Sequence, residues 1–380
     1  MTIWNIFGVV ASLLLIAVIL VDGFETMIQP RRITRRYRFA RVFYRLLWTV
    51  WRRAAIVFQK PRTRESFLAL FGPLSLILLF VSWVTGLLMA FSLLHWSLGT
   101  PLSQPATGWG TYLYLSGTTF FTLGYGDVTP TEAWGRALAV IESGMGFGFM
   151  AVIIGYLPTL YQAFTARERT IGLLDARASS PPTAGELLHR LAQAGRLNEV
   201  DIFLREWEAW AAELLESHLS FPVLSYYRSQ HDNQSWLAAL ATILDTCALL
   251  LVSIKDANKY QAQLTFAMAR HAAVDLALTF HVPPKPAEQE RLACDRLEKL
   301  LGTLGESEGQ TCEQGLANSK LAELRGMYEP FLAGLAERFL FALPPIVAEQ
   351  PTVDNWRTSA WMKRVPGIGS LPSAGDDHFD

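Results

Sequence analysis

The sequence predicts an all-α membrane protein, with long apolar helices in its first half and an all-helical cytoplasmic domain in its second. Three observations carry this. Residues 1–185 hold 16 Lys/Arg against 8 Asp/Glu, and residues 186–380 hold 17 against 26, within a chain of formal net charge −1. No Asp, Glu, Lys or Arg occurs in the 61 residues from Ser66 to Gly126, where about 20 apolar residues suffice to cross a bilayer. Beyond residue 184, Ala, Leu and Glu dominate, and apolar residues recur at three- and four-residue steps. Only 18% of the chain is charged, against about 25% in soluble domains, and the uneven layout excludes a single soluble domain. The acidic half also excludes nucleic acid as a partner, because phosphate binding needs surplus positive charge.

The first helix is predicted over Ile3–Val21, a run without a charge. No Lys or Arg precedes it, and it ends in Asp22 and Glu25 without a small-residue cleavage site, so it reads as a spanning helix rather than a signal peptide. Residues 1–24 form the expected N-terminal transmembrane segment. Twelve Lys/Arg follow between Arg31 and Arg64. Positive loops stay in the cytoplasm, so the N-terminus is expected outside and the connector, residues 25–65, inside. Arg38, Arg41, Arg45 and Arg52 fall near one helical face, with Phe39, Phe43, Leu46, Leu47 and Val50 over much of the rest. That pattern fits an amphipathic helix on anionic lipid headgroups, with Trp48 and Trp51 as headgroup anchors. A voltage sensor is the competing reading, since Arg32, Arg35, Arg38 and Arg41 recur every third residue. Gating charges need a surrounding helix bundle, and only one helix precedes them.

The next membrane region is expected over residues 66–166. Phe67–Trp96 reads as a long outer helix, and Pro101, Pro105, Gly108 and Gly110 break the pattern. The apolar run Thr111–Leu123 is too short to span and reads as a re-entrant element. Residues 134–166 form a second long helix, followed by Arg167 and Arg169, which agree with a cytoplasmic C-terminal half.

The re-entrant element ends in Thr122-Leu123-Gly124-Tyr125-Gly126-Asp127. Here the chain resembles the potassium channels, whose selectivity filter reads TVGYGD between a short pore helix and an inner helix. The resemblance covers roughly residues 67–166 and includes Trp134-Gly135-Arg136 at the start of the inner helix, as in the two-helix bacterial channels. It implies a potassium-channel pore module in a bacterial plasma membrane. It also implies a homotetramer, since one filter loop per chain cannot surround an ion. No cofactor is implied beyond K⁺ itself as the transported ion. The carbonyls of Thr122, Leu123, Gly124 and Tyr125 would replace the ion's lost water, the Thr122 hydroxyl would close the inner end, and Gly124 and Gly126 would supply backbone angles other residues resist. The pore helix, about Trp109–Phe121, would aim its partly negative C-terminus at the ion. Tyr125 would pack on pore-helix aromatics, and Asp127 would bond Tyr114, which stands where the family often has Trp. Phe121 departs from the family, which often has a second Thr there.

Gly146 lies 11 residues after Gly135, the family's hinge position. Bending there and close helix packing are both open readings. Pro158 removes a hydrogen bond and should kink the helix. Matching the family's spacing, Phe147, Met150, Ile154 and Pro158 would face the cavity. Glu142 is expected behind the filter, either tuning conduction or simply bonded to Ser116 or Thr119 of the pore helix.

The cytoplasmic half, residues 167–365, reads as helices over 184–343, with candidate boundaries at Ser180-Pro181-Pro182, Pro283-Pro284 and Pro344-Pro345 and a polar loop from Gly302 to Gly315. The tail, 366–380, is expected to be disordered. No GxGxxG follows a strand, and no cyclic-nucleotide β-roll is apparent. Cys247, Cys294 and Cys312 show no CxxC spacing, and His271 and His281 read as packed or solvated. No nucleophile–base constellation supports an enzyme. Two rival functions stay open: a membrane-anchored sensor or scaffold with a silent pore fold, and a poorly selective cation channel.

Overall fold

The computed structural model describes residues 2–28, 38–231, 233–253, 259–286, 290–292 and 315–348. Among these, the regular structure is all-helical apart from one isolated bridge, Leu102 to Pro130. Two compact units form: residues 1–58 with 70–162, and residues 59–69 with 163–380. Arg32, Arg35, Cys294, Cys312, the polar loop before Gly315 and the 366–380 tail lie outside the described residues.

The first unit is built on α1 (Ile3–Met27), α2 (Phe39–Val57), α4 (Phe71–Leu98), α5 (Trp109–Phe120) and the first part of α6 (Ala133–Ala178). Among the described residues, three helices are long and apolar enough to cross a membrane: α1, the Pro61–Leu98 stretch ending in α4, and α6. Small residues let α1 and α4 touch. A Cβ at Gly8 would sit 2.1 Å from Ser97 Oγ, and one at Gly86 would sit 2.6 Å from Ile19 Cδ1. Pro73 lies in the first turn of α4, where no N–H is needed, and α4 starts four residues later than the apolar run suggests.

The end of α1 is tied to α2 and α4. Asp22 is buried and accepts hydrogen bonds from Trp83 Nε1 of α4 and from the Ala40 N–H in the first turn of α2, both at 3.0 Å. It thereby satisfies one of the free donors that every helix start leaves. Arg38 donates to Thr26 at 2.9 Å and pairs with Glu25 at 3.4 Å. The expectation of Trp48 as a headgroup anchor fails. Trp48 is 1% exposed, packed edge-on against Phe71 at 4.8 Å. Burying so large a ring against a neighbour outweighs leaving it at the interface. Phe39, Val42, Leu46 and Val50 of α2 do remain exposed.

The second unit holds α3 (Pro61–Ala69), the end of α6, α7 (Ala184–Gln193), α8 (Val200–Ser220), α9 (Trp236–Ser253), α10 (Lys259–Thr279), α11 (Gly315–Gly326) and α12 (Glu329–Phe339). The three proline pairs fall outside the helices: after α6, after α10 and after α12. Thr183 and Glu186 have capping-box spacing, and the Thr183 hydroxyl accepts from the Glu186 N–H at 3.2 Å. The core gathers around α9, where residues 236–251 are all buried. Trp236 meets Phe339, Phe341 and His218. Asp245 of α9 is buried and bonded to Arg291 and, at 2.7 Å, to Tyr328 Oη. Burial pushes the Asp245 carboxyl and the Cys247 thiol up from their ordinary values.

The inner helix runs 12 residues past its expected end at 166, to Ala178. Its extension is amphipathic: Phe164, Arg167, Ile171, Leu174, Asp175 and Ala178 are buried. Packing of that stripe supplies the stability that the polar composition disguised. Pro158 does not end the helix.

Candidate functional site: the loop after the re-entrant helix

The site begins where α5 stops. Phe121 N–H bonds Gly117 O at 3.2 Å, Thr122 N–H bonds Thr119 O at 3.0 Å, and Leu123 N–H bonds Thr118 O at 2.8 Å. The last carbonyls of a helix lack partners of their own, and here they anchor the next stretch of chain. Residue 122 has φ +56°, Gly124 has +60° and Gly126 has +78°, so every second residue is left-handed. Glycine adopts that region freely, whereas Thr122 is strained there. Alternation of this kind turns successive carbonyls to one side. Among the described residues, the carbonyls of Thr122 to Gly126 accept no hydrogen bond from their own chain. The loop therefore presents a run of unengaged oxygens.

Neighbouring segments hold this loop from behind. Tyr114 Oη donates to Asp127 Oδ2 at 2.9 Å. Ser103 Oγ donates to the Asp127 carbonyl at 3.2 Å and accepts from the Thr129 N–H at 3.0 Å. The segment around Pro101 also pairs with the loop, through Thr131 N–H to Pro101 O at 3.0 Å. The glycine- and proline-rich break is thus a clamp on the residues after Asp127, a role that its turn chemistry alone did not signal. In the single chain Tyr125 is 69% exposed and Leu123 is 55% exposed. The packing of Tyr125 on pore-helix aromatics is therefore not made within one chain.

Gly146 is closely packed. A Cβ there would lie 2.3 Å from the Phe120 carbonyl oxygen, so α6 crosses the end of α5 with no room for a side chain. Phe147, Met150, Ile154 and Pro158 share an exposed stripe of α6 at three- and four-residue steps. Glu142 is fully buried, and its nearest ionisable neighbour is a residue outside α5. His95 of α4 places Nε2 3.5 Å from Glu142 Oε2, and both side chains are 0% exposed. Ser116 faces the same carboxylate. His95 was missed because only Asp, Glu, Lys and Arg were counted in the 61-residue stretch. A histidine inside that stretch was the available signal.

The ion-channel family model matches residues 75–163, from α4 through α5 to α6. Over that stretch the chain is similar to ion channels. The match includes the whole of α5, the left-handed loop and the exposed stripe of α6. An uncharacterised membrane protein of Bacillus subtilis, YdjJ, is 25% identical over 228 residues, which are 58% of this chain and 65% of that protein. The aligned region is thus just under two thirds of that relative's length. No solved structure matches the chain. With three span-length helices among the described residues and this likeness to ion channels, the protein is an integral membrane protein.

Proposed function

We propose that four copies of this chain assemble into a potassium-selective channel, with residues 122–126 of each copy lining one axis. The observation that carries this reading is the run of unengaged carbonyls set by alternating left-handed residues. A dehydrated cation needs several oxygens in place of its hydration shell. Thr122, Leu123, Gly124 and Tyr125 of four chains supply them in successive rings, and the Thr122 hydroxyl adds an inner one. Irregular backbone at membrane depth is tolerated only where it lines a cavity or is buried in protein, and a pore meets that condition. The partial negative charge at the end of α5 favours a cation nearby. Leu123 and Tyr125, exposed in one chain, would be covered by neighbouring copies, which fixes the width of the rings. Transport is passive: ions in adjacent sites repel and knock one another onward.

The Phe147, Met150, Ile154 and Pro158 stripe then faces the water-filled cavity. Asp127 and Tyr114 hold the outer end of the loop. The exposed apolar face of α2, with Arg41 and Arg45, lies on the anionic inner leaflet. The positive charge of the basic connector supports a cytoplasmic α2 and second unit, with the N-terminus outside. That unit is where a gating signal would act.

The test is K⁺ and Na⁺ flux from liposomes holding the purified protein, with Gly126→Ser as control. At φ +78° a serine is strained, so the variant should lose selective flux. K⁺ flux above Na⁺ flux, absent in the variant, is the expected result. Equal K⁺ and Na⁺ flux would leave a cation channel of poor selectivity. A tetramer without flux of either ion would favour a membrane-anchored scaffold.

A further inference from the structure

Behind α5, three helices bring together polar groups that the conduction path does not use. His95 closes the last turn of α4, Ser116 lies on α5, and Glu142 lies on α6. All three are 0% exposed. His95 Nε2 stands 3.5 Å from Glu142 Oε2, while His95 Nδ1 is 3.0 Å from Thr100 Oγ1. From α5, Tyr112 Oη donates to the Thr100 carbonyl at 3.2 Å, so Thr100 joins the imidazole to the pore helix. His95 and Glu142 are the ionisable groups of the cluster, Tyr112 is the titratable group that α5 brings to its edge, and Ser116 faces the carboxylate.

The position of this cluster gives it leverage. Glu142 lies one turn before Gly146, and Ser116 lies one turn before Phe120. Gly146 receives the Phe120 carbonyl with no space to spare. The α5–α6 contact is therefore tight at Gly146, with the buried Ser116 and Glu142 one turn before it. A shift of α5 along α6 would move the Thr118 and Thr119 carbonyls, which hold the N–H groups of Thr122, Leu123 and Gly124.

We propose that His95 is a positioning residue of the pore: with Glu142 it forms a buried proton-holding couple that keeps α5, and so the carbonyls of residues 122–126, in conducting register. This rests on the channel reading above. The couple is neutral overall both as imidazolium with carboxylate and as imidazole with carboxylic acid. Removing either partner leaves the other alone in a fully buried site, which is far worse than removing both. Adding or removing a proton from the outside would likewise leave one unbalanced charge, so selectivity should respond to external pH through this pair.

The test compares the full-length wild type, His95→Gln, Glu142→Gln and the double variant in liposomes. K⁺ and Na⁺ flux are read at external pH values from 5 to 8, each protein first being shown to be tetrameric. Each single variant is expected to lower K⁺ flux about ten-fold and reduce its K⁺ over Na⁺ preference. The double variant is expected to recover much of both, with a flat pH profile. Glu142→Asp, which keeps the charge but withdraws it from His95, should behave as a weakened single variant that still responds to pH. A His95→Gln channel with the wild-type pH profile and selectivity overturns the proposal. So do single effects that simply add in the double variant. A wild type without flux overturns the channel reading itself, and the two failures are thereby told apart.

Discussion

Residue 122 and the two glycines after it show how much hangs on single backbone angles. Gly124 and Gly126 have open space where a Cβ would stand, so volume is not what requires glycine there. Their φ values of +60° and +78° do. Gly146 is the opposite case. It sits in a helix, and there the Phe120 carbonyl is 2.3 Å from its would-be Cβ. Backbone cannot swing aside as a side-chain tip can, so Gly146→Ala should destabilise the pore by about 1–3 kcal/mol, the usual range for overpacking. A thermal melt in detergent should show the loss, and Gly144→Ala, where nothing lies within 4 Å, should melt like wild type in the same monomer-level assay. Sequence spacing singled out Gly146 but could not choose between hinge and contact, because both require the same small residue.

At the scale of single elements, most helices were legible and most boundaries were not. α1, α4 and α5 appear where charge-free runs end at prolines, glycines or charges. α6 was underestimated because its extension is polar by composition and apolar only on one stripe. The cytoplasmic helix α7 carries its own start signal in Thr183 and Glu186. Thr183→Ala should remove that cap and lower the stability of the second unit by about 1 kcal/mol. Chemical denaturation followed by tryptophan fluorescence would register it, since Trp207, Trp210 and Trp236 are all buried in that unit. A Thr183→Ser variant, which keeps the hydroxyl, should retain most of the stability. Trp48 is an instructive miss. Its place on a basic amphipathic helix suggested a lipid interface, but Phe71, 23 residues away in sequence, covers it.

At the scale of the whole molecule, the chain divides into two compact units, each with its own buried polar device. In the second unit Arg167 is 3% exposed. It donates to the Leu224 carbonyl at 3.0 Å, to the Tyr227 carbonyl at 3.2 Å and to His218 Nε2 at 3.2 Å. An arginine can only donate, so His218 Nε2 must accept and carries no proton. His218 Nδ1–H then donates to Leu214 O at 2.8 Å. Burial, and Arg167 beside it, hold the imidazole well below its usual 6.5. The folded state therefore binds one proton fewer than the unfolded chain below about pH 6.5. Stability of this unit is full above that pH and should fall as the medium is acidified, by up to about 1.4 kcal/mol per pH unit from this group. Melting temperatures from pH 7.5 to 5 would show the slope, and His218→Asn should remove that part of it. A variant slope equal to the wild type would mean that other groups carry the acid sensitivity.

The sequence by itself determined the membrane class, the number of span-length helices, the charge-based division of the chain and the loop from Thr122 to Asp127. These follow from local properties: runs of apolar residues, glycine at alternate positions and the absence of charge. Only the tertiary structure decided which buried groups meet. It paired Glu142 with His95, 47 residues away, and seated Asp22 between Trp83 and the start of α2. It also turned Trp48 inward and drew the end of α6 into the second unit. Partners so far apart leave no periodic trace in the sequence, because a buried polar group must be satisfied by whichever element the fold brings beside it.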